Sequence, residues 1–326
     1  MNRKLVKACV LGVVGVCAIA LPYVLTDYYV TLISLILISA ILAASINMLA
    51  GDGGLVSLGH AGIAAAAGYG LAWSSIQGHP VWLQLVIAAS LALVSSVVYG
   101  LISMKTKGIY FLMVTLAAGM VLYGVAFRWS SVTGGDNGLS GILRPQLFAA
   151  YWQFYFFVAV VFVLITVGLV RVSRSPFGLV LRGIRDSESR MRSLGYNVPA
   201  YKFVGVVLSG MVAGVAGVLL VWHAEFISPS TADFLHSALP MVMVVLGGVG
   251  TLLGPLLGAV IVLAISQVLS SYVDRWQTVL GVLFIAAVIL APEGLVGGIR
   301  AAATKLRTRR AVGAVPDLAQ VTGNQE

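Results

Sequence analysis

Acidic side chains are scarce in this chain, with eleven Asp and Glu against twenty Lys and Arg among 326 residues. Cysteine is scarcer still: Cys9 and Cys17 are the only two, and both fall inside the first apolar run. That pair supports neither a disulfide framework nor a zinc site, so no metal is expected. Charge of either sign amounts to only 10% of residues, while hydrophobic residues reach 60% and mean hydropathy is +1.01. A soluble globule of this size cannot hide so much apolar surface, so much of it must face a lipid bilayer. The net charge of +9 does not point to nucleic acid, because the basic residues stand at the ends of apolar runs rather than on a polar face interleaved with aromatics.

Catalytic signatures are missing as well. The chain has no HExxH, no GxSxG and no paired aspartates within an apolar run, so it is expected not to be an enzyme and to carry no catalytic residues or cofactor. Asp136, in Gly134-Gly135-Asp136-Asn137-Gly138, reads first as part of a turn. A GxxxxGK[ST] phosphate loop is absent too, which removes nucleotide hydrolysis by this chain itself. No Asp, Glu, Arg or Lys stands near the middle of a long apolar run, and His60 alone is placed to act as a proton relay. Beside Gly59 and Gly62, it reads first as a hydrogen-bonded packing residue. Uphill movement of a solute would then draw its energy from outside the bundle, with sodium coupling through backbone carbonyls as the alternative.

What the chain does have is long apolar runs. About twenty apolar residues cross a bilayer core, and ten runs approach that length: Leu5 to Leu25, Tyr28 to Leu49, Leu55 to Trp73, Val81 to Met104, Gly108 to Phe127, Ala150 to Val170, Phe203 to Trp222, Phe234 to Val249, Leu252 to Val273 and Trp276 to Ala291. The pattern predicts an all-α, polytopic membrane bundle of about ten transmembrane helices, one domain over residues 1–299, with a mobile basic tail over 300–326. Leu5 to Leu25 follows Arg3, Lys4 and Lys7 like a signal peptide, but its length and the lack of a cleavage site predict a retained helix. Phe234 to Val249 is short, and parity of crossings predicts a true but short or broken span.

Seven basic residues lie between Arg171 and Lys202, flanked by apolar runs. Lys and Arg beside short spans are retained on the cytoplasmic side. Starting inside and crossing ten times places seventeen basic residues in the cytoplasm, those of this loop, Lys105, Lys107 and both termini, leaving Arg128, Arg144 and Arg275 outside. The 171–202 loop is long enough to carry a helix of its own.

Glycine is abundant, at 37 residues. Gly210 with Gly214, and Gly250, Gly254 and Gly258, stand one helical turn apart, the spacing that lets helix backbones approach closely in lipid. Two clusters, Gly51 to Gly54 and Gly247 to Gly250, interrupt hydrophobic stretches in the two halves of the chain. Such interruptions mark either broken helices beside a transport path or tight turns.

Several blocks carry a family resemblance. Gly54-Leu55-Val56-Ser57-Leu58-Gly59-His60-Ala61, Gly108-Ile109-Tyr110-Phe111 with Thr115-Leu116, and Thr133-Gly134-Gly135-Asp136-Asn137-Gly138-Leu139 are similar to the M-type permease of bacterial branched-chain amino acid ABC importers. So are Ser175-Pro176-Phe177-Gly178, Ile184-Arg185-Asp186-Ser187-Glu188, Leu194-Gly195-Tyr196-Asn197, Val245-Leu246-Gly247-Gly248-Val249-Gly250-Thr251 and Ala291-Pro292-Glu293-Gly294-Leu295. The resemblance implies a subunit of the bacterial inner membrane that imports Leu, Ile or Val by alternating access. Its implied partners are a second, H-type permease, two cytoplasmic ATPase subunits and a periplasmic substrate-binding protein. Permeases for urea or short amides share the same superfamily.

In this family the cytoplasmic loop holds the helix that docks on the ATPase, which maps to Gly183 through Leu194, with Gly195 closing it. Arg185, Asp186, Glu188, Arg190 and Arg192 make the segment polar, and Ile184, Met191 and Leu194 are expected to be apolar knobs for a groove on the ATPase. Arg190 and Met191 depart from the small residues the family carries there. For the translocation path, Asn47, Ser57, His60 and Thr115, with backbone at Gly247 and Gly248, are the candidate polar contacts. Two readings from other classes remain: an ion-coupled carrier, which would transport as a purified chain without an ATPase, and a membrane scaffold, whose loss would leave uptake unchanged.

Overall fold

The computed structural model describes residues 25–270, together with residues 21, 22, 278, 279, 281, 282, 285 and 294. The first and last expected spans and the tail over 300–326 lie largely outside the described residues. Among the described residues eleven α-helices can be bounded: α1 (Asp27–Gly53), α2 (His60–Ile76), α3 (Val81–Ser103), α4 (Gly108–Arg128), the single turn α5 (Ser130–Thr133), α6 (Tyr151–Arg174), α7 (Pro176–Asp186), α8 (Glu188–Ser193), α9 (Val198–Ala224), α10 (Phe234–Gly247) and α11 (Gly254–Ser270). Five of them, α1, α3, α4, α6 and α9, are long and apolar enough to cross a membrane. Among the described residues the departure from helix is one antiparallel pair of two-residue strands, β1 (Leu139–Ser140) and β2 (Phe226–Ile227).

The centre of the molecule is α9 packed on α1, α2 and α3, with α6, α10 and α11 applied to the other side of α1. Small residues permit this: a Cβ at Gly217 of α9 would lie 2.0 Å from the Ala64 carbonyl oxygen of α2, and one at Gly214 would lie 2.5 Å from Ala92 Cβ of α3. Gly210 meets Ser96 of α3 in the same way. Backbone approach of this kind replaces the hydrophobic drive that lipid cannot supply. The outer helices keep large apolar side chains on their free faces, such as Trp82 on α3, Tyr110 on α4 and Leu164 on α6, as a bilayer-facing surface requires.

Three sequence expectations need correction. The run Leu55 to Trp73 is helical only from His60, because α1 ends at Gly54 in the left-handed conformation (φ +64°) and the chain then runs without helix to Gly59. Gly250 does not pack from within a helix: it sits at φ +74° in the turn between α10 and α11, while Gly254 and Gly258 pack those two helices together. The expected single helix over Gly183 to Leu194 is two helices, α7 and α8. Ser187 breaks them with an extended backbone (φ −165°, ψ 104°) and starts α8 by accepting a hydrogen bond from Arg190 N.

Candidate functional site

Basic side chains gather at one end of the bundle and bring distant segments together there. Ser175 starts α7, accepting from Gly178 N, and Pro176 opens its first turn with no N–H to satisfy. One face of the helix then carries Val180, Leu181 and Ile184 into the protein, and the other carries arginines. Arg182 Nη1 donates to Asp52 Oδ1 at 2.8 Å and to Ser173 Oγ at 3.2 Å. Arg185 Nη1 donates to the Gly51 carbonyl oxygen at 2.6 Å, and its stem lies against Gly54. Both arginines are thus seated on the last turn of α1.

That last turn in turn holds the α10–α11 turn. Gly250 N donates to Asn47 Oδ1 at 2.7 Å, and Asn47 Nδ2 donates to the Thr251 carbonyl oxygen at 3.0 Å. Gly51 and Gly250 touch backbone to backbone: a Cβ at Gly51 would stand 2.5 Å from Gly250 Cα. Gly294 closes on Gly248 from the other side, at 2.3 Å from a Cβ at Gly294 to Gly248 Cα. The two glycine clusters, some two hundred residues apart in sequence, therefore meet as one interlocked joint. Beside it lies a cavity of about 180 Å³ lined by Asn47, Asp52, Phe162, Arg174, Thr251 and Leu256.

Helix α8 folds back over α7. Met191 packs on Gly183 and, with Ile184, Val180 and Val198, forms a small buried cluster under Tyr201. The expectation that Ile184 and Met191 are free apolar knobs is therefore corrected: both are used internally, and of the three only Leu194 is exposed, at 66%. Gly195, at φ +86°, turns the chain away with open space around it.

Glu188 joins the α7–α8 pair to the rest of the bundle. Its carboxylate pairs with Lys202 of α9, with Lys107 ahead of α4 at 3.0 Å, and with Arg192 at 3.7 Å. Lys202 is itself buried and also donates to the Thr106 carbonyl oxygen at 3.0 Å. Burial alone would raise the Glu188 pKa, but the hydrogen bonds and charges of Lys202 and Lys107 outweigh it and hold the carboxyl below its ordinary range. Asp186, by contrast, is exposed and pairs with its neighbour Arg185 at 3.2 Å.

Ser57, His60 and Thr115 come together deeper in the bundle. The Ser209 hydroxyl donates to the Ser45 carbonyl oxygen at 2.8 Å, so at 2.5 Å His60 Nε2 must be the donor to Ser209 Oγ. His60 Nδ1 lies 2.9 Å from the Ser57 hydroxyl, so both ring nitrogens are hydrogen-bonded and the imidazole cross-links the start of α2 to α9. Thr115 Oγ1 donates to Leu112 O and accepts from Leu58 N, stitching the non-helical 54–59 segment to α4. Non-helical backbone at this depth is tolerated because it is enclosed in protein. In this conformation all three candidates are buried and bonded to the protein, and Asn47 reaches the turn rather than an open path.

The opposite end of the bundle is closed by Arg144. Its guanidinium donates to the carbonyl oxygens of Trp222 (2.5 Å) and His223 (2.7 Å), pairs with Glu225 at 3.2 Å and lies 4.9 Å from the Phe154 ring centroid. It thereby satisfies the last carbonyls of α9. The Gly134–Gly138 segment forms a turn under β2, where a Cβ at Gly138 would lie 2.2 Å from the Ile227 carbonyl oxygen. At this end an apolar cavity of about 590 Å³ opens between α2, α3 and α4, walled by Tyr69, Trp73, Leu91, Leu122 and Trp129.

Sequence reasoning missed Asp52, Arg182 and Lys202. No spacing could reveal a pair 130 residues apart, though Asp52 inside a glycine cluster was an available signal.

Comparison with known proteins gives one family. A family model described as "Branched-chain amino acid transport system / permease component" matches residues 28–291. The chain is 27% identical over 308 residues to the high-affinity branched-chain amino acid transport system permease protein LivM of Escherichia coli (strain K12), covering 86% of this chain and 72% of that one. It is 25% identical over 229 residues to the probable branched-chain amino acid transport permease protein LivH of Methanocaldococcus jannaschii, covering 65% of this chain and 72% of the relative. A shorter match, 27% over 159 residues and 47% of this chain against 44% of the relative, is to the autoinducer 2 import system permease protein LsrC of Klebsiella pneumoniae. No solved structure matches.

Proposed function

Because this chain belongs to the family of branched-chain amino acid transport system permease components and resembles LivM, we propose that it is the M-type membrane subunit of an ATP-driven importer of Leu, Ile and Val. It works beside an H-type permease, two cytoplasmic ATPase subunits and a periplasmic binding protein, in the inner membrane of a bacterium. The observation that carries this reading is the α7–α8 lever. It is charged on its free side, seated on α1, α4 and α9 at the basic end of the bundle, and leaves Asp186, Arg190, Arg192 and Leu194 exposed. A loop that served orientation alone would need its cations but not Asp186.

Sidedness follows from charge. The end that collects Lys107, Arg171, Arg174 and the lever faces the cytoplasm, and the Arg144 end faces outward. Residues Gly183 to Leu194 receive the motion of the ATPase subunits, and the bundle alternates between outward and inward access. The Ser57, His60 and Thr115 knot moves with α2 as part of a rigid unit, leaving the work of transport to ATP hydrolysis in the partner subunits.

The test is uptake of radiolabelled leucine, isoleucine and valine by cells with and without this chain, and by vesicles reconstituted with and without the ATPase subunits. The proposal expects uptake that needs both the chain and ATP hydrolysis. Accumulation by the purified chain alone under an ion gradient would establish a secondary carrier instead.

A further inference from the structure

Helix α7 touches the bundle through a short series of bonds, most of which join parts far apart in sequence. Arg182 ties the end of α6, through Ser173, and the body of α7 to Asp52. Arg185 ties α7 to the carbonyl of Gly51 one residue away. Asn47, one turn back along the same helix, uses both its acceptor and its donor on the α10–α11 turn. The Gly51–Gly250 contact leaves no room for slippage, since a single Cβ at Gly51 would collide with backbone. The Asp52 and Arg182 side chains are 16% and 32% exposed, so solvent screens the pair less than a surface ion pair. Helix α1 has 27 residues, and at about 1.5 Å per residue it runs about 40 Å, more than the roughly 30 Å of a bilayer's hydrocarbon core.

Resting on the importer reading above, we infer that Asp52, Arg182, Arg185 and Asn47 are positioning residues that form a transmission link. The link makes α7, the end of α1 and the α10–α11 turn move as one, so that displacement of the lever reaches the interior through α1. It is separable from docking at Asp52 and Arg182, whose paired atoms are turned into the bundle, while Asp186 and the exposed groups of α8 face away. Breaking it therefore leaves the ATPase bound and disconnects its work from transport.

The experiment uses the complete transporter in proteoliposomes and reads three quantities: ATPase recovered with the chain, ATP hydrolysed, and leucine taken up per ATP. Couplings between sites are typically worth 5–150-fold, so Asp52→Asn and Arg182→Gln should each lower uptake per ATP about tenfold, with ATPase recovery unchanged. Arg182→Lys, which keeps the charge, and the exchange Asp52→Arg with Arg182→Glu should both recover most of the loss. Unchanged uptake per ATP in both single variants overturns the link. So does a fall in uptake matched by a fall in ATPase recovery with no recovery in the exchange variant, which would assign the pair to folding or docking. Failure of the wild-type chain to recover any ATPase would instead overturn the importer reading on which the link rests.

Discussion

At the scale of single residues, the sharpest dependence is of Lys202 on Glu188. Lys202 is a buried cation whose charge is answered by one carboxylate. Removing one partner of a buried pair costs about 3–5 kcal/mol because the other charge is left uncompensated, so Glu188→Ala should unfold at markedly lower temperature in detergent. The double change Glu188→Ala with Lys202→Met should recover much of the loss. The pair also sets a pH dependence. Folding holds the Glu188 carboxyl below its ordinary range, so the unfolded chain binds more protons there than the folded one does. The contribution to stability is full above the ordinary carboxyl pKa of about 4.3 and is lost as pH falls through the lower folded value. Thermal unfolding followed from pH 6 to pH 3 should therefore show a steeper decline in the wild type than in Glu188→Gln. Residues of this kind were only partly legible. The sequence places Glu188, Arg185 and Asn47 among functional candidates by type and position, yet gives each an outward or path-facing task. The fold turns each toward the protein, because a carboxylate or amide so close to buried cations and open backbone groups gains more by satisfying them.

At the scale of elements, glycine spacing was the most informative signal and also the most ambiguous one. Gly210 and Gly214 lie where α9 crosses α3, and Gly254 and Gly258 lie in the α10–α11 contact. Gly250 shares their spacing but belongs to a turn, since period alone cannot distinguish a helix face from a left-handed corner. The α9–α2 crossing, Gly217 on Ala64, lies three residues past Gly214, at a spacing the Gly210–Gly214 motif does not mark. Overpacking costs about 1–3 kcal/mol, occasionally more, and a Cβ 2.0 Å from a backbone carbonyl belongs at the upper end. Gly217→Ala should accordingly lower the midpoint of thermal unfolding far more than Gly124→Ala, whose added methyl meets nothing within 4 Å. The break at Ser187 was readable in retrospect, because Ser187 begins α8 as an N-cap with Glu188 in its first turn.

At the scale of the whole molecule, the contacts respect the charge count. Among the described residues, loops that the basic residues assign to one side meet loops assigned to that same side: Lys107 with Glu188, Asp52 with Arg182, and Gly51 with Gly250 at one end, and Arg144 with Glu225 and β1 with β2 at the other. Apolar runs and cations are enough to give this arrangement, since lipid and the orientation rule act on composition. The joint between α1 and the α10–α11 turn was beyond them, because it depends on backbone contact across two hundred residues. The account's central claim is that the bundle is driven from its basic, inner end through α7 and α8. Leu194, exposed on α8, tests it most directly when replaced by Cys in a chain whose Cys9 and Cys17 are changed to Ser. A membrane-impermeant thiol reagent should label it in inverted vesicles and not in intact cells, and added ATPase subunits should protect it. Labelling in intact cells would contradict the account.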